Sequence, residues 1–339
     1  MTHANPSRIA VTGGAGYIGS HTSVALLEAG HEVLILDNFD NAEESVPDSI
    51  AGIAGHSPEV ARVDITDGPA LAHALASFKP DAVIHFAGLK AVGDAVANPL
   101  EYYRVNVGGS VTLFQAMDEI GCNRLVFSSS ATVYGDPDQV PIQEDHPLRP
   151  TNPYGQSKRM VEQITEDWSR AKVELAVVNL RYFNPAGAHP SARIGEAPQG
   201  VPNNLMPYLM QVAVGWREKL SVFGNDYDTP DGTGVRDYIH VMDLAEAHLA
   251  ALTLTGASPG VHEINVGTGQ GYSVLEMVRA FETASGKPVP YEITARRPGD
   301  IATSLADPRL AHDRLNWQAT RDLEAMCRDA WAWQKGRNK

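Results

Sequence analysis

Tyr154 and Lys158 stand at the two ends of Tyr154-Gly155-Gln156-Ser157-Lys158, so on a helix they share one face and the ammonium reaches under the phenol. A phenol titrates near pH ~10 on its own, and it works as a base at neutral pH only where adjacent positive charge stabilises the phenolate. Lys158 supplies one such charge, and an oxidised nicotinamide would supply a second. Ser130 closes the run Phe127-Ser128-Ser129-Ser130 at the carboxyl end of a strand, where open parallel sheets bind ligands. Its hydroxyl can hydrogen-bond the oxygen whose proton leaves. The chemistry open to this trio is movement of a proton and a hydride on a bound substrate. Taken alone, Tyr and Lys at this spacing are equally a common surface pair.

Their company gives them weight. Ile9-Ala10-Val11-Thr12 runs into Gly13-Gly14-Ala15-Gly16-Tyr17-Ile18-Gly19 and then into a helix from Ser20 to Glu28. In such a turn Gly13 lets the chain reverse sharply, Gly16 lets backbone N–H groups approach a pyrophosphate, and Gly19 lets helix and strand pack closely. The helix N-terminus then faces the phosphate charge. Asp37 closes the second strand, 18 residues past Gly19. A carboxylate there accepts both ribose hydroxyls and repels a 2′-phosphate, which favours NAD over NADP. Asp64-Ile65 after the third strand would flank the adenine, and Phe86-Ala87-Gly88 after the fourth would lie along the cofactor. Each of these, singly, also reads as an ordinary strand-end turn.

The elements that must position these residues alternate short apolar strands with helices, the pattern of an α/β fold. Strands are expected at Ile9 to Thr12, Glu32 to Leu36, Val60 to Asp64, Ala82 to Phe86, Arg124 to Ser128 and Leu175 to Val178. Six such strands with crossovers make a Rossmann-type doubly wound parallel sheet, followed by a smaller C-terminal substrate domain. Prolines and glycines crowd the chain from Pro185 to Pro207 before helical periodicity resumes over Leu205 to Trp216. The expected division is 1–184 for the nucleotide-binding domain, with 235–266 returning to it, and 185–234 with 267–339 for the second domain.

Length and composition agree. The chain has 339 residues, 43% apolar and 20% charged, enough for two hydrophobic cores. A net charge of −14 excludes a nucleic-acid footprint, which needs clustered Lys and Arg, and leaves room for an anionic small molecule only where a few arginines converge. No apolar run reaches membrane-spanning length, and Met1 to Pro6 lacks signal-peptide character, so a cytoplasmic location is expected. Cys122 and Cys327 are too few for a disulfide framework, and the 12 histidines show no metal-ligand spacing, so no metal is expected.

Together these motifs resemble the extended short-chain dehydrogenase/reductase family, whose catalytic set is Ser or Thr, Tyr and Lys on a Rossmann sheet. The likeness continues through the segments His85 to Gly93, Arg181 to Pro190, Pro202 to Tyr208 and Gly234 to Val241, and covers nearly the whole chain. It points to the UDP-hexose 4-epimerase branch. The resemblance implies that Tyr154 takes the proton from the sugar 4-hydroxyl while the C4 hydride passes to NAD. The 4-keto sugar then turns about its phosphate link and recovers the hydride on its other face, interconverting UDP-galactose and UDP-glucose. Net redox change is zero, so the cofactor stays bound.

By the same resemblance the NAD contacts are Gly13, Gly16, Tyr17, Ile18, Gly19, Asp37, Asn38, Asn41, Asp64, Ile65, Phe86, Ala87, Gly88, Lys90, Ser130, Tyr154, Lys158 and Phe183. The UDP-sugar contacts are Asn184, Asn204, Leu205, Ser221, Phe223, Arg236, Tyr238, Val274, Arg297, Asp300 and Ser304. In that set Arg236 and Arg297 neutralise the diphosphate, Asp300 holds the ribose, Phe223 and Tyr238 line the nucleotide, and Phe183 braces the nicotinamide. Without it, Arg236 beside Asp237 reads as a surface pair and Phe183 as core. Helices in the Pro99 to Ile120 and Lys158 to Arg170 regions would form a homodimer seam.

Two positions depart from the family pattern. Val105 stands where an asparagine is usual, which removes a cofactor-side hydrogen bond, and Asn106 is read as structural. Ser304 stands where epimerases restricted to unacetylated sugars carry tyrosine, so space is left beside the sugar 2-substituent and UDP-GlcNAc and UDP-GalNAc are expected as further substrates. Two rival readings are weaker. A nucleotide-sugar dehydratase needs an acid just beyond Ser130, where Ala131 and Thr132 stand. A silent dinucleotide-sensing regulator would be expected to lose Tyr154 or Lys158, and both are present.

Overall fold

The computed structural model describes residues 7–297 and 299–337; the opening segment Met1 to Pro6 lies outside them. Seven parallel strands form the main sheet, in the order Gly260–Val266, Ala176–Tyr182, Arg124–Ser130, Ala82–His85, Arg8–Thr12, Glu32–Asp37, Glu59–Arg62. Side chains alternate between its faces with period two. Ile9 and Val11 enter a core with Leu26 and Leu244, whereas Ala10 between them enters the opposite core with Leu71, Leu113 and Met117. Each fully buried aliphatic of this kind contributes about 1.5–3 kcal/mol, which is why both faces carry helices.

The strand order reverses beside Arg8–Thr12: the chain runs outward through Glu32–Asp37 and Glu59–Arg62, then crosses back to Ala82–His85 on the other side. At such a switch point the loops at the carboxyl ends of the two central strands diverge and leave a crevice. The helix Val241–Ala257 packs on the helix Tyr17–Glu28, and Gly260–Val266 adds the seventh strand.

Two strands run further than their apolar residues suggest. Arg124–Ser130 continues through its serines, and Ala176–Tyr182 passes through Asn179 and Arg181, all pairing in register. Arg181 is tolerated there because both Glu162 oxygens accept from it at 2.9 Å. The third strand ends at Arg62, two residues before Asp64, and the helix Leu205–Ala213 stops three residues before Trp216. The stretch after Pro99 is a helix Pro99–Tyr102, a π-helical turn Tyr103–Gly108 and a helix Gly109–Glu119.

Beyond the main sheet, Asn184–Ala186, Val235–His240, Gly271–Ser273 and Thr303–Ser304 make a small second sheet, and Leu220–Phe223 pairs with Tyr291–Thr294. A third core of Leu209, Met277, Phe281, Met326 and Trp331 joins them to three helices. Among the described residues, no helix is long and apolar enough to cross a membrane and no cluster of His, Cys, Asp or Glu could hold a metal ion.

Candidate functional site

The glycine turn is dictated by contact distances. Gly13 has φ +67°, and a Cβ there would lie 2.7 Å from the Ala87 nitrogen. A Cβ on Gly19 would lie 2.1 Å from the Gly13 carbonyl, and one on Gly14 would meet the Val11 carbonyl at 2.9 Å. Gly16 is less crowded: a Cβ there would meet the Gly13 carbonyl at 3.2 Å, a tight contact but the mildest of the four. The helix Tyr17–Glu28 begins there with no side-chain cap, leaving its first N–H groups for an anion. A cavity of about 390 Å³ opens at this point, lined by Gly16, Tyr17, Asn41, Lys90 and Glu196 among others.

Asp37 is buried at the end of its strand. One carboxylate oxygen accepts from the Ala15 nitrogen at 3.0 Å and the other from the Phe39 nitrogen at 2.9 Å, which leaves further lone pairs for a diol. Burial raises its pKa, and those two amides pull it back. Asn38 donates to Asp64 at 2.9 Å, tying the second strand end to the third. Ile65 is buried against Gly109, Ile18 packs on the core, and the Tyr17 hydroxyl donates to the Gly187 carbonyl at 2.8 Å. The Phe86 ring lies 4.7 Å from that of His248. Gly88 has φ +155°, and a Cβ there would meet Asn106 Oδ1 at 2.9 Å.

The helix Pro153–Ala171 starts with Asn152 accepting from the Gly155 nitrogen at 2.9 Å and with Pro153 at its first position. A Cβ on Gly155 would sit 2.7 Å from the Thr132 carbonyl, so this helix start packs directly on the Ser130 turn. That contact joins Tyr154 to Ser130. Burial pushes the Tyr154 phenol up to about 12, and a hydrogen bond from Ser130 acts against it. Lys158, one turn on, donates to the Ser128 carbonyl at 2.8 Å, with its Nζ 5.8 Å from the Tyr154 ring centroid. Burial draws its ammonium down to about 8, opposed by Glu162. Ser129 donates to the same Glu162 at 2.6 Å, so a buried network backs the trio.

A second group gathers on the small sheet. Its register pairs Asn184 with Tyr238 and Ser304 with Arg236. Burial pushes the Tyr238 phenol up to about 12, while Arg236 and Arg297 both pull it down, so the charge of both guanidiniums is felt at one phenol. Arg297 lies 4.5 Å over the Phe223 ring and donates to Asp300 at 2.9 Å. Arg236 does not pair with its neighbour: Asp237 is buried and accepts from Thr268, Gly269 and Ala306. Ser221 is half-buried in its strand, the Val274 nitrogen donates to the Gly234 carbonyl, and Asn204 and Leu205 open a helix. Phe183 packs with Val133, Tyr134, Ile142 and Ala306.

The family model described as GDP-mannose 4,6 dehydratase matches residues 10–330. The UDP-glucose 4-epimerase of Bacillus subtilis (strain 168) is 58% identical over 326 residues, covering 96% of each chain. Among solved structures, the UDP-glucose-4-epimerase of Stenotrophomonas maltophila, with bound NAD and formylated UDP-arabinopyranose, superimposes with a TM-score of 0.96 at 49% identity, over 98% of this chain and 99% of that one. That of Bifidobacterium longum, in complex with NAD+ and UDP, gives 0.95 at 45% identity over the same shares. The chain belongs to the UDP-glucose 4-epimerase family.

Within this epimerase family the two departures take physical form. Val105 is half-buried in the π-helical turn, while Asn106 beside it is buried, donates to Leu89 and Ser157, and accepts from the Leu89 nitrogen. Ser304 is 8% exposed, so the small side chain is enclosed next to Arg236. Sequence reasoning about this epimerase relative missed Gly14 and Glu196. Gly14 had a signal in the turn itself. Glu196 had none beyond being a carboxylate in a loop rich in proline and glycine.

Proposed function

We propose that this chain is an epimerase that interconverts UDP-galactose and UDP-glucose with a resident NAD, and the observation that carries it is Tyr154 joined to Ser130 above Lys158 with Ala131 and Thr132 following. The uncapped helix start, the cavity lined by Gly16 and the Asp37 carboxylate suit a dinucleotide without a 2′-phosphate. Bound NAD supplies a reversible electron-pair acceptor for the C4–H bond of the sugar. Tyr154 takes the 4-hydroxyl proton and returns it within the same turnover, Ser130 orients the exchanging oxygen, and protonated Lys158 keeps positive charge beside the phenol. Arg236 and Arg297 hold the diphosphate while the sugar turns, supported by Asn184, Asn204, Tyr238 and Asp300.

Residues 1–184 with 235–266 form the cofactor domain in this reading, and 185–234 with 267–339 the UDP-sugar domain. Two chains pair as a homodimer through the Pro99 to Ile120 and Lys158 to Arg170 regions, where Leu100 and Met160 are exposed, and the enzyme works in the cytoplasm, where two free, buried cysteines suit a reducing compartment. The deciding experiment is a coupled assay of UDP-galactose to UDP-glucose with no added NAD. Turnover supports both the reaction and the retained cofactor, and its absence with NAD still bound favours a silent sensor. The enclosed Ser304 extends the substrates to UDP-GalNAc and UDP-GlcNAc; activity on UDP-GalNAc below about a thousandth of that on UDP-galactose rejects this.

A further inference from the structure

Glu196 lies between the strand Asn184–Ala186 and the helix Leu205–Ala213, and its side chain is only 6% exposed. A single oxygen, Oε1, accepts from two donors: Lys90 Nζ at 3.0 Å and Asn204 Nδ2 at 2.7 Å. Lys90 follows the strand Ala82–His85, on the cofactor side. Asn204 opens the helix Leu205–Ala213, which has no side-chain cap, on the nucleotide-sugar side. The carboxylate also lines the cavity at Gly16 and Tyr17.

A buried carboxylate left unpaired is costly, so this one keeps both donors, the half-exposed Lys90 ammonium and the Asn204 amide, on its single oxygen. An asparagine amide has two N–H groups; with one on Glu196 its plane is set and the second is aimed by that bond. Lys90 in turn neutralises the carboxylate. Without that ammonium, Glu196 would present an uncompensated negative charge to a diphosphate arriving at Asn204.

We propose that Glu196 is a positioning residue that couples the two sides of the site, orienting Asn204 toward the UDP-sugar diphosphate and holding Lys90 on the cofactor side. This rests on the reading of the chain as an NAD-dependent UDP-hexose epimerase. Glu196 touches no reacting atom, so its effect falls on affinity.

The test is calorimetric titration of UDP into NAD-saturated enzyme, with kcat and KM for UDP-galactose measured alongside. Glu196→Ala raises the UDP Kd and the KM by about tenfold with kcat within about threefold, as expected for a lost charged hydrogen bond. Glu196→Gln, whose carbonyl still accepts from Asn204, restores affinity to within about threefold. Lys90→Met weakens UDP binding in the wild-type background and not in Glu196→Gln, and Lys90→Met with Asn204→Ala is non-additive by at least about threefold only where Glu196 is present. If Glu196→Ala fails to fold, the Glu196→Gln cycle decides alone. Additive effects in both backgrounds, or a collapse of kcat at unchanged KM, overturn the coupling while leaving the epimerase reading standing. Wild-type enzyme that binds no UDP overturns that reading and the coupling with it.

Discussion

Replacing Ser130 by alanine tests how the phenol is tuned. The Ser130 hydroxyl accepts from the Thr132 nitrogen at 3.2 Å and from Thr132 Oγ1 at 3.0 Å, so both lone pairs are engaged and its own proton is the one available to Tyr154. A hydrogen bond donated to an ionised oxygen is worth about 1.5–3 kcal/mol, or about one to two pH units. The bond favours phenolate, so its loss carries the Tyr154 pKa above the value of about 12 that it has with the bond in place. At a fixed pH below that pKa the ionised fraction falls about 10- to 100-fold, and kcat near neutrality falls with it. Because about pH 6 to 10 lies below the Tyr154 pKa of both enzymes, the deficit is the same at every pH in that range. UDP-galactose turnover from about pH 6 to 10 on enzyme of known NAD content measures the loss, and Ser130→Thr, which keeps the hydroxyl, restores kcat. A kcat within about threefold of wild type, or a loss confined to KM, would show that Ser130 only holds substrate.

Tyr154→Phe lowers kcat by about 10²–10⁴-fold and leaves NAD content unchanged, read from absorbance ratio and single-turnover assay; a variant that keeps most of its activity would refute Tyr154 as the base. Ser304→Tyr removes activity on UDP-GalNAc and spares UDP-galactose, because the ring would fill space beside the sugar 2-substituent; equal losses on both would contradict that geometry. Gly19→Ala puts a Cβ 2.1 Å from the Gly13 carbonyl, so the turn must shift; at about 1–3 kcal/mol it lowers the Tm by several degrees and empties the purified protein of NAD, and a wild-type melt with NAD retained would argue otherwise. Val105→Asn slows NAD loss on dialysis, and an unchanged rate would dismiss the missing hydrogen bond.

Near-neighbour features were readable in one dimension. The glycine turn, Asp37 at a strand end and the four-residue spacing of Tyr154 and Lys158 depend on backbone geometry within a few residues, which residue type governs directly. The alternation of strand and helix followed from the period of the apolar positions. Boundaries failed where polar residues carried a strand onward: Ser129 and Arg181 sit in the sheet because Glu162, on a helix outside it, partners both.

By itself, then, the sequence determined a dinucleotide turn, a Tyr–Lys pair on one helix face and a serine at a strand end, each a local consequence of sterics and periodicity. Tertiary structure alone decided which distant groups meet. Glu196 finds Lys90 across 106 residues, Arg236 and Arg297 both bring their charge to bear on Tyr238 from separate elements, and Asp237 turns inward while its neighbour Arg236 does not pair with it. The physical reason is that hydrogen bonds and charge pairs depend on distance in space. For side chains far apart along the chain, that distance is set by how the sheet and its helices pack around their cores.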